Sequence, residues 1–193
     1  MDAVLMVIFA YLLGSVPTGF LLGTLSGVDV RRAGSGNVGA TNVARVVGNW
    51  QGLMTLIADV VKGFIPVFLS PQLGFTVAVT SIVAFAAFIG HLYPLFLRFH
   101  GGKGVATALG VFLGVAPTAA FVLASIFLLV ALTSRRVSLA SMVAAFLAPV
   151  ALWLFSYSPF LIALSLVIAI SIAVRHRENI QRLISGMEPK FKF

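Results

Sequence analysis

Four short polar stretches hold most of the chemistry available to this sequence. The first is Gly34-Ser-Gly-Asn-Val-Gly-Ala-Thr-Asn42, with Arg45 three residues further on. Its first six residues satisfy G-x-G-x-x-G. A hydrophobic helical run precedes it where a strand is required, so the dinucleotide fingerprint fails. The physics behind the pattern survives: glycines let backbone N–H groups approach an anion, and a following helix N-terminus favours negative charge. Thr41 or Asn42 is placed to cap that helix, with Arg45 on its first turn. The plainer reading is a flexible glycine loop with caps.

The second stretch is His100-Gly-Gly-Lys-Gly104. It resembles half a P-loop, but no Ser or Thr follows the lysine and the spacing is wrong, which rejects a nucleotide P-loop. Lys103 between glycines at a helix start still suits a phosphate; otherwise it is an interfacial lysine in a tight turn. The third, Arg135-Arg-Val-Ser138-Leu-Ala-Ser141, puts two serines on one helix face. Ser138 reads as an N-cap, and Ser141, a turn deeper, as the ligand. In the fourth, Arg175-His-Arg-Glu-Asn-Ile-Gln-Arg182, residues Arg175, Asn179 and Arg182 share a helical face. His176 and Asn179 lie on an adjoining one, and Glu178 with Arg182 makes an ordinary i,i+4 pair.

The elements that must position these groups are membrane helices. Of 193 residues, 60% are hydrophobic and only 9% charged, against about 25% charged in soluble domains. That excludes both a compact soluble fold and disorder. A single polytopic membrane domain over 1–193 follows, with a short basic cytoplasmic tail from about 175. Met1 to Ala3 carries one acid and no basic stretch, so the first run is expected to be retained and not cleaved as a secretory signal. Apolar runs cover 4–23, 52–70, 73–99, 105–133, 138–155 and 159–174, each to be compared with the about 17–25 residues that cross a bilayer.

Arg31, Arg32, Arg45, Arg98, Lys103, Arg135, Arg136, Arg175, Arg177, Arg182, Lys190 and Lys192 are twelve of the thirteen basic residues, and all lie between or after the runs, with Arg98 at the boundary of the third. The turns at Pro71 and Ser156 have none. Positive-inside logic puts the four basic segments in the cytoplasm. A straight span over 105–133 would separate two of them, so an even number of crossings is needed there. Pro117 supplies the break. Residues 104–115 then cover only about 18 Å, less than a hydrocarbon core of about 30 Å, and form a short or re-entrant helix. The expectation is an all-α integral membrane protein of seven transmembrane segments, N-terminus outside and C-terminus cytoplasmic. Six spans with one arginine-rich loop outside is the competing arrangement. Only Asp59, Lys62 and His91 lie deep in the runs. The first two, at i,i+3, read as a mutually neutralising pair, and His91 as a buried hydrogen-bonding group.

With no cysteine, disulfides, thiolate chemistry, thioester intermediates and Cys-ligated metals are excluded. Asp29, Glu178 and Glu188 are scattered, so a carboxylate Mg²⁺ site and metal-dependent phosphotransfer are disfavoured. No His is followed five residues on by Asp, as in the familiar glycerolipid acyltransferases, and no Ser–His–acid order is evident. What remains is a pocket of glycine backbone, Arg, Lys, Asn and Ser, able to bind phosphates and polarise a carbonyl.

Three of the stretches, Gly34 to Asn42, Gly101-Gly-Lys-Gly-Val-Ala-Thr107 and His176-Arg-Glu-Asn-Ile180, resemble the signature motifs of the bacterial acyl-phosphate:glycerol-3-phosphate acyltransferase family. The resemblance runs from Tyr11-Leu-Leu-Gly-Ser15 to the basic tail. It implies a seven-helix fold and transfer of a fatty acyl group from acyl phosphate to the 1-hydroxyl of glycerol 3-phosphate. Lysophosphatidic acid and inorganic phosphate are the implied products, made on the cytoplasmic side of a bacterial inner membrane without metal or cofactor. By resemblance, Ser35, Gly36, Asn37, Gly39, Ala40, Thr41 and Asn42 would cradle the acyl phosphate. Arg45, Lys103 with its neighbours Gly102 and Gly104, Ser141 and His176 would hold glycerol 3-phosphate, and Asn179 would orient substrate or polarise the carbonyl. His176 and Asn179 are the catalytic candidates; the substrate's own phosphate is the other candidate base. Expected partners are both substrates, membrane lipid and an enzyme that supplies acyl phosphate, and no nucleic acid. The rival class is a transporter of a phosphorylated anion, which needs gating polar groups near the midplane. No internal repeat of the transporter kind is evident.

Overall fold

The computed structural model describes residues 2–191; Met1, Lys192 and Phe193 lie outside the described residues, and with them the expected cytoplasmic placement of Lys192. Among the described residues the regular structure is entirely helical. The helices are α1 (Ala3–Gly14), α2 (Thr18–Leu25), α3 (Ala40–Val46), α4 (Asn49–Gln72), α5 (Val77–Leu92), α6 (Val105–Val115), α7 (Pro117–Ser134), α8 (Val137–Leu154), α9 (Pro159–Arg175) and α10 (Arg177–Ile184). They fall into two compact units, one ending at Val115 and the other beginning at Ala116.

Local chemistry sets the helix ends. Asp2 caps α1, accepting from the Val4 N–H at 3.0 Å, and Thr76 caps α5. Pro17 opens the break between α1 and α2, and Pro117 and Pro159 stand at the first positions of α7 and α9, where the missing N–H is tolerated. Five stretches are long and apolar enough to span a bilayer: Ala3–Leu25, Asn49–Gln72, Val77–Leu97, Pro117–Ser134 and Val137–Leu154. A sixth, α9 with α10, bends by 63°. Helix α6 is apolar but has eleven residues, about 16 Å of rise. The separate short helix expected before Pro117 is thus present. Large apolar side chains such as Trp153, Leu129 and Ile170 are more than 60% exposed, as a lipid-facing surface requires and a water-facing one does not tolerate. The protein is an all-α integral membrane protein.

Glycine lets the helices of the first unit close on one another, as membrane packing favours. Gly14 meets the Ala87 carbonyl and Gly90 the Tyr11 carbonyl, joining α1 to α5. Gly63 meets Thr107 and Gly110 meets Val60, joining α4 to α6. The short α6 is held this way.

Candidate active site

The first island is a loop folded around its own last residue. Asn42, 2% exposed, sits inside α3 and turns back: its Oδ1 accepts from the Ser35 N–H at 2.8 Å. Its Nδ2 donates toward the carbonyls of Val30, Ala33 and Asn37 at 3.0, 3.1 and 2.8 Å. This corrects the expected helix cap. Gly39 is the N-cap residue, no side chain caps α3, and Arg45 lies in its last turn. Asn37 Oδ1 accepts from the Gly39 N–H at 2.9 Å, closing a second small turn. Gly34 has φ +60, and a β-carbon there would strike Asn42 Oδ1, so the residue must be glycine. Ser35, Gly36 and Arg45 are exposed, while Asn37, Gly39, Ala40 and Thr41 are half-buried.

Just before the loop, Asp29 and Arg31 pair with each other beside Phe20. Arg31 grips the Asp29 carboxylate at 2.9 Å through both Nε and Nη2 and lies 4.4 Å over the Phe20 ring. The Arg31 hydrogen bond, chiefly, holds the Asp29 carboxyl down to about 2. Beneath the loop, Val30, Val38 and Val43 pack with Leu97, which precedes the second island. The two islands of the first unit therefore share one small core. In the second island Gly101 and Gly102 donate to the carbonyls of Leu92 and His91, each at 3.1 Å. Gly104 has φ +84 against Phe88 and Leu92 and turns the chain into α6. Lys103 is half-buried between two buried glycines.

Glu188 organises the second unit. Its Oε1 accepts from Ser138 Oγ and Asn179 Nδ2, both at 2.6 Å, and its Oε2 from Arg182 Nε at 2.8 Å. Burial opposes ionisation of Glu188, but the bonds from Ser138, Arg182 and Asn179 outweigh it and hold the carboxyl below the usual range. Three expectations change here. Ser138 serves Glu188, and α8 has no side-chain cap. Arg182 pairs with Glu188 and not with Glu178. The helix also breaks at His176, so Arg175 ends α9 while Asn179 and Arg182 lie on α10. His176 is 3% exposed, and its Nδ1 lies 2.8 Å from the Ile172 carbonyl, so this nitrogen carries the proton and donates. In the neutral ring the lone pair is then on Nε2, the form a general base needs. Ser141, 3% exposed, donates to the Val137 carbonyl at 2.8 Å.

Spacing alone missed Glu188. Its one sequence signal is that it is the later of only two acids in a basic tail. It equally missed that Asn42 builds the loop from within.

The comparisons agree with this anatomy. The glycerol-3-phosphate acyltransferase family model matches residues 4–186. The glycerol-3-phosphate acyltransferase of Geobacter sulfurreducens is 49% identical over 183 residues, covering 95% of this chain and 94% of the relative. That of Aquifex aeolicus is 44% identical over 192 residues, covering 99% and 100%. Crystal structures of PlsY (YgiH), an integral membrane glycerol 3-phosphate acyltransferase, superpose over all of this chain and 96% of theirs. The glycerol 3-phosphate form gives a TM-score of 0.96 at 44% identity, and the lysophosphatidic acid form 0.93 at 43%. Three intact polar motifs, an all-helical membrane fold and end-to-end similarity to these enzymes lead to one assignment: the chain belongs to the glycerol-3-phosphate acyltransferase family and is an integral membrane acyltransferase.

Proposed function

We propose that this protein transfers a fatty acyl group from acyl phosphate to the 1-hydroxyl of glycerol 3-phosphate, releasing lysophosphatidic acid and inorganic phosphate. The observation that carries the reading is that its solved relative exists in a glycerol 3-phosphate form and a lysophosphatidic acid form. These are an acceptor and the same acceptor with one acyl group added. The donor assignment is supported by chemistry. Two glycine-rich basic islands share the first unit, so two phosphates can be accommodated, and acyl phosphate is already activated.

In the step proposed, the glycerol hydroxyl oxygen attacks the acyl carbonyl carbon, the bond from that carbon to the phosphate oxygen breaks, and phosphate leaves with the electron pair. Ser35, Gly36, Asn37, Gly39, Ala40 and Thr41 bind the acyl phosphate, on a loop that Asn42 shapes from within. Arg45, Lys103, Ser141 and His176 hold glycerol 3-phosphate, with Gly102 and Gly104 shaping the turn around Lys103. His176 takes the hydroxyl proton. Donation of Asn179 Nδ2 to Glu188 fixes the plane of the carboxamide, which suits Asn179 to orient a hydroxyl.

The chain acts as one polytopic domain in a bacterial cytoplasmic membrane. It has seven segments including α6, the N-terminus outside, and the polar islands and the tail from about 175 in the cytoplasm. An enzyme making acyl phosphate is its natural partner.

Purified protein, acyl phosphate and radiolabelled glycerol 3-phosphate should yield lysophosphatidic acid and phosphate in equal amounts. A folded protein giving neither rejects the reading. Product from acyl-CoA or acyl carrier protein but not acyl phosphate rejects the donor. Because the chain has no cysteine, Ser185→Cys and Gln72→Cys report orientation cleanly. In intact cells a membrane-impermeant thiol reagent should label the Gln72→Cys variant and leave Ser185→Cys untouched.

A further inference from the structure

Inside the first unit, three ionisable groups that belong to neither glycine island meet in the helix core. Lys62 Nζ lies 2.8 Å from Asp59 Oδ1, one turn apart on α4, with the two side chains 6% and 4% exposed. His91 Nδ1, from α5, lies 3.6 Å from the same oxygen. Charges at this depth are retained only when partnered, and they are functional signs by default. A pair needed only to neutralise itself has no use for a third polar group, so the question is what the cluster touches.

It touches both islands' supports. Lys62 Nζ donates to the Val16 carbonyl at 2.8 Å, at the break before α2. Gly19 of α2 abuts the Val38 carbonyl of the first island. On the other side, His91 Nε2 abuts Gly102 so closely that a β-carbon there would collide with the ring. The backbone carbonyl of His91 also receives the Gly102 N–H. The turn carrying Lys103 is thus seated on the His91 ring. A cavity of ≈ 10 Å³ lined by Val16, Val38, Asp59, Lys62 and His91 lies among these groups, about the room of one water.

We propose that Asp59 and His91 are positioning residues for Lys103: the Asp59 carboxylate fixes the His91 ring, the ring supports Gly102, and Gly102 sets the direction of Lys103. Lys62 balances the Asp59 carboxylate and ties the cluster to the α1–α2 break. At 3.6 Å from Nδ1 the Asp59 oxygen is beyond hydrogen-bond reach, so it orients the ring as a fixed neighbouring charge. The inference rests on the reading of Lys103 as a glycerol 3-phosphate ligand.

The test uses the full chain in a lipid bilayer with saturating acyl phosphate. Asp59→Asn and His91→Ala should raise KM for glycerol 3-phosphate about ten-fold with kcat changed less than about three-fold, and should add nothing to Lys103→Ala. Amide exchange should accelerate in residues 100–104 and not in residues 176–188. KM within about two-fold of wild type with unchanged exchange at 100–104 overturns the proposal, as does an equal further rise on the Lys103→Ala background. If Asp59→Asn does not fold, two further variants are read by the same criteria. Asp59→Asn with Lys62→Met leaves no buried charge unpartnered, and His91→Asn keeps the Asp59–Lys62 pair. Wild-type protein that makes no lysophosphatidic acid rejects the proposed reaction, while the exchange measurement still decides whether Asp59 and His91 hold the turn.

Discussion

In the loop before α3 the organising side chain is a neutral amide, Asn42; after α10 it is a carboxylate, Glu188. The two chemistries suit what each gathers. An amide donates and accepts, so Asn42 can share its two N–H bonds among three backbone carbonyls and accept from one backbone N–H without adding charge to the loop. A carboxylate only accepts, so Glu188 collects donors from three places: the Ser138 hydroxyl, the Asn179 amide and the Arg182 guanidinium. Under the proposed function the first region presents backbone and cations to an anion. The second fixes the orientation of Asn179, three residues from His176.

The sharpest way to break this division is His176→Ala. If proton removal resides in the second region, kcat falls by about 10²–10⁴ with both substrates saturating. A loss of only a few-fold moves proton removal to the substrate's own phosphate and ends the contrast. Next in size is Asn42→Ala, which strips the loop of four hydrogen bonds. Each buried group left unsatisfied costs about 1–3 kcal/mol. Activity should drop well over about ten-fold, measured as acyl transfer per folded protein. Asn42→Asp, which swaps the donor for an acceptor facing three carbonyls, should do no better. Wild-type rates in either variant would show that the loop holds itself.

Glu188→Gln should lower stability by on the order of 1–3 kcal/mol, read from thermal unfolding. The same residue gives a pH signature. Its folded-state pKa lies below the unfolded value of about 4.3. Its contribution is therefore complete above that value and is lost as pH falls through the lower, folded one. Unfolding temperature against pH should show this acid limb in the wild type and a flatter one in Glu188→Gln; identical limbs contradict the assignment. The smallest effect belongs to Asp29→Asn. Asp29, depressed to about 2, stays ionised throughout the working range, but its pairs with Arg31 and Arg32 are exposed. Such pairs contribute little, so activity should stay within about two-fold of wild type, and a larger loss would give the first region a charged organiser after all.

The spans were legible because a bilayer imposes a length and an apolar composition on each. The short α6 was legible because Pro117 and the parity of basic loops both demanded a break. The islands were legible as clusters of glycine, Asn, Ser and Arg. Where side chains choose partners across the fold, the sequence carried no spacing to read. Asn42 looks outward on paper because nothing in Gly34 to Thr41 says the loop will wrap around it. Glu188 meets Ser138 fifty residues away. The break at His176 has neither Gly nor Pro to announce it. Asp59 and Lys62 were visible at i,i+3, but that His91 would join them required α4 and α5 to be packed together.

The separation between Ser138 and Glu188 also orders events in time. Synthesis reaches Ser138 fifty residues before the acid it bonds, and reaches Asn179 and Arg182 before that acid as well. A serine, an amide and a guanidinium therefore depend on one late carboxylate. The second polar region of this enzyme is thus completed by the last part of the chain, and a chain interrupted between Arg182 and Glu188 would have the sequence of every helix but not the group that sets the Asn179 amide.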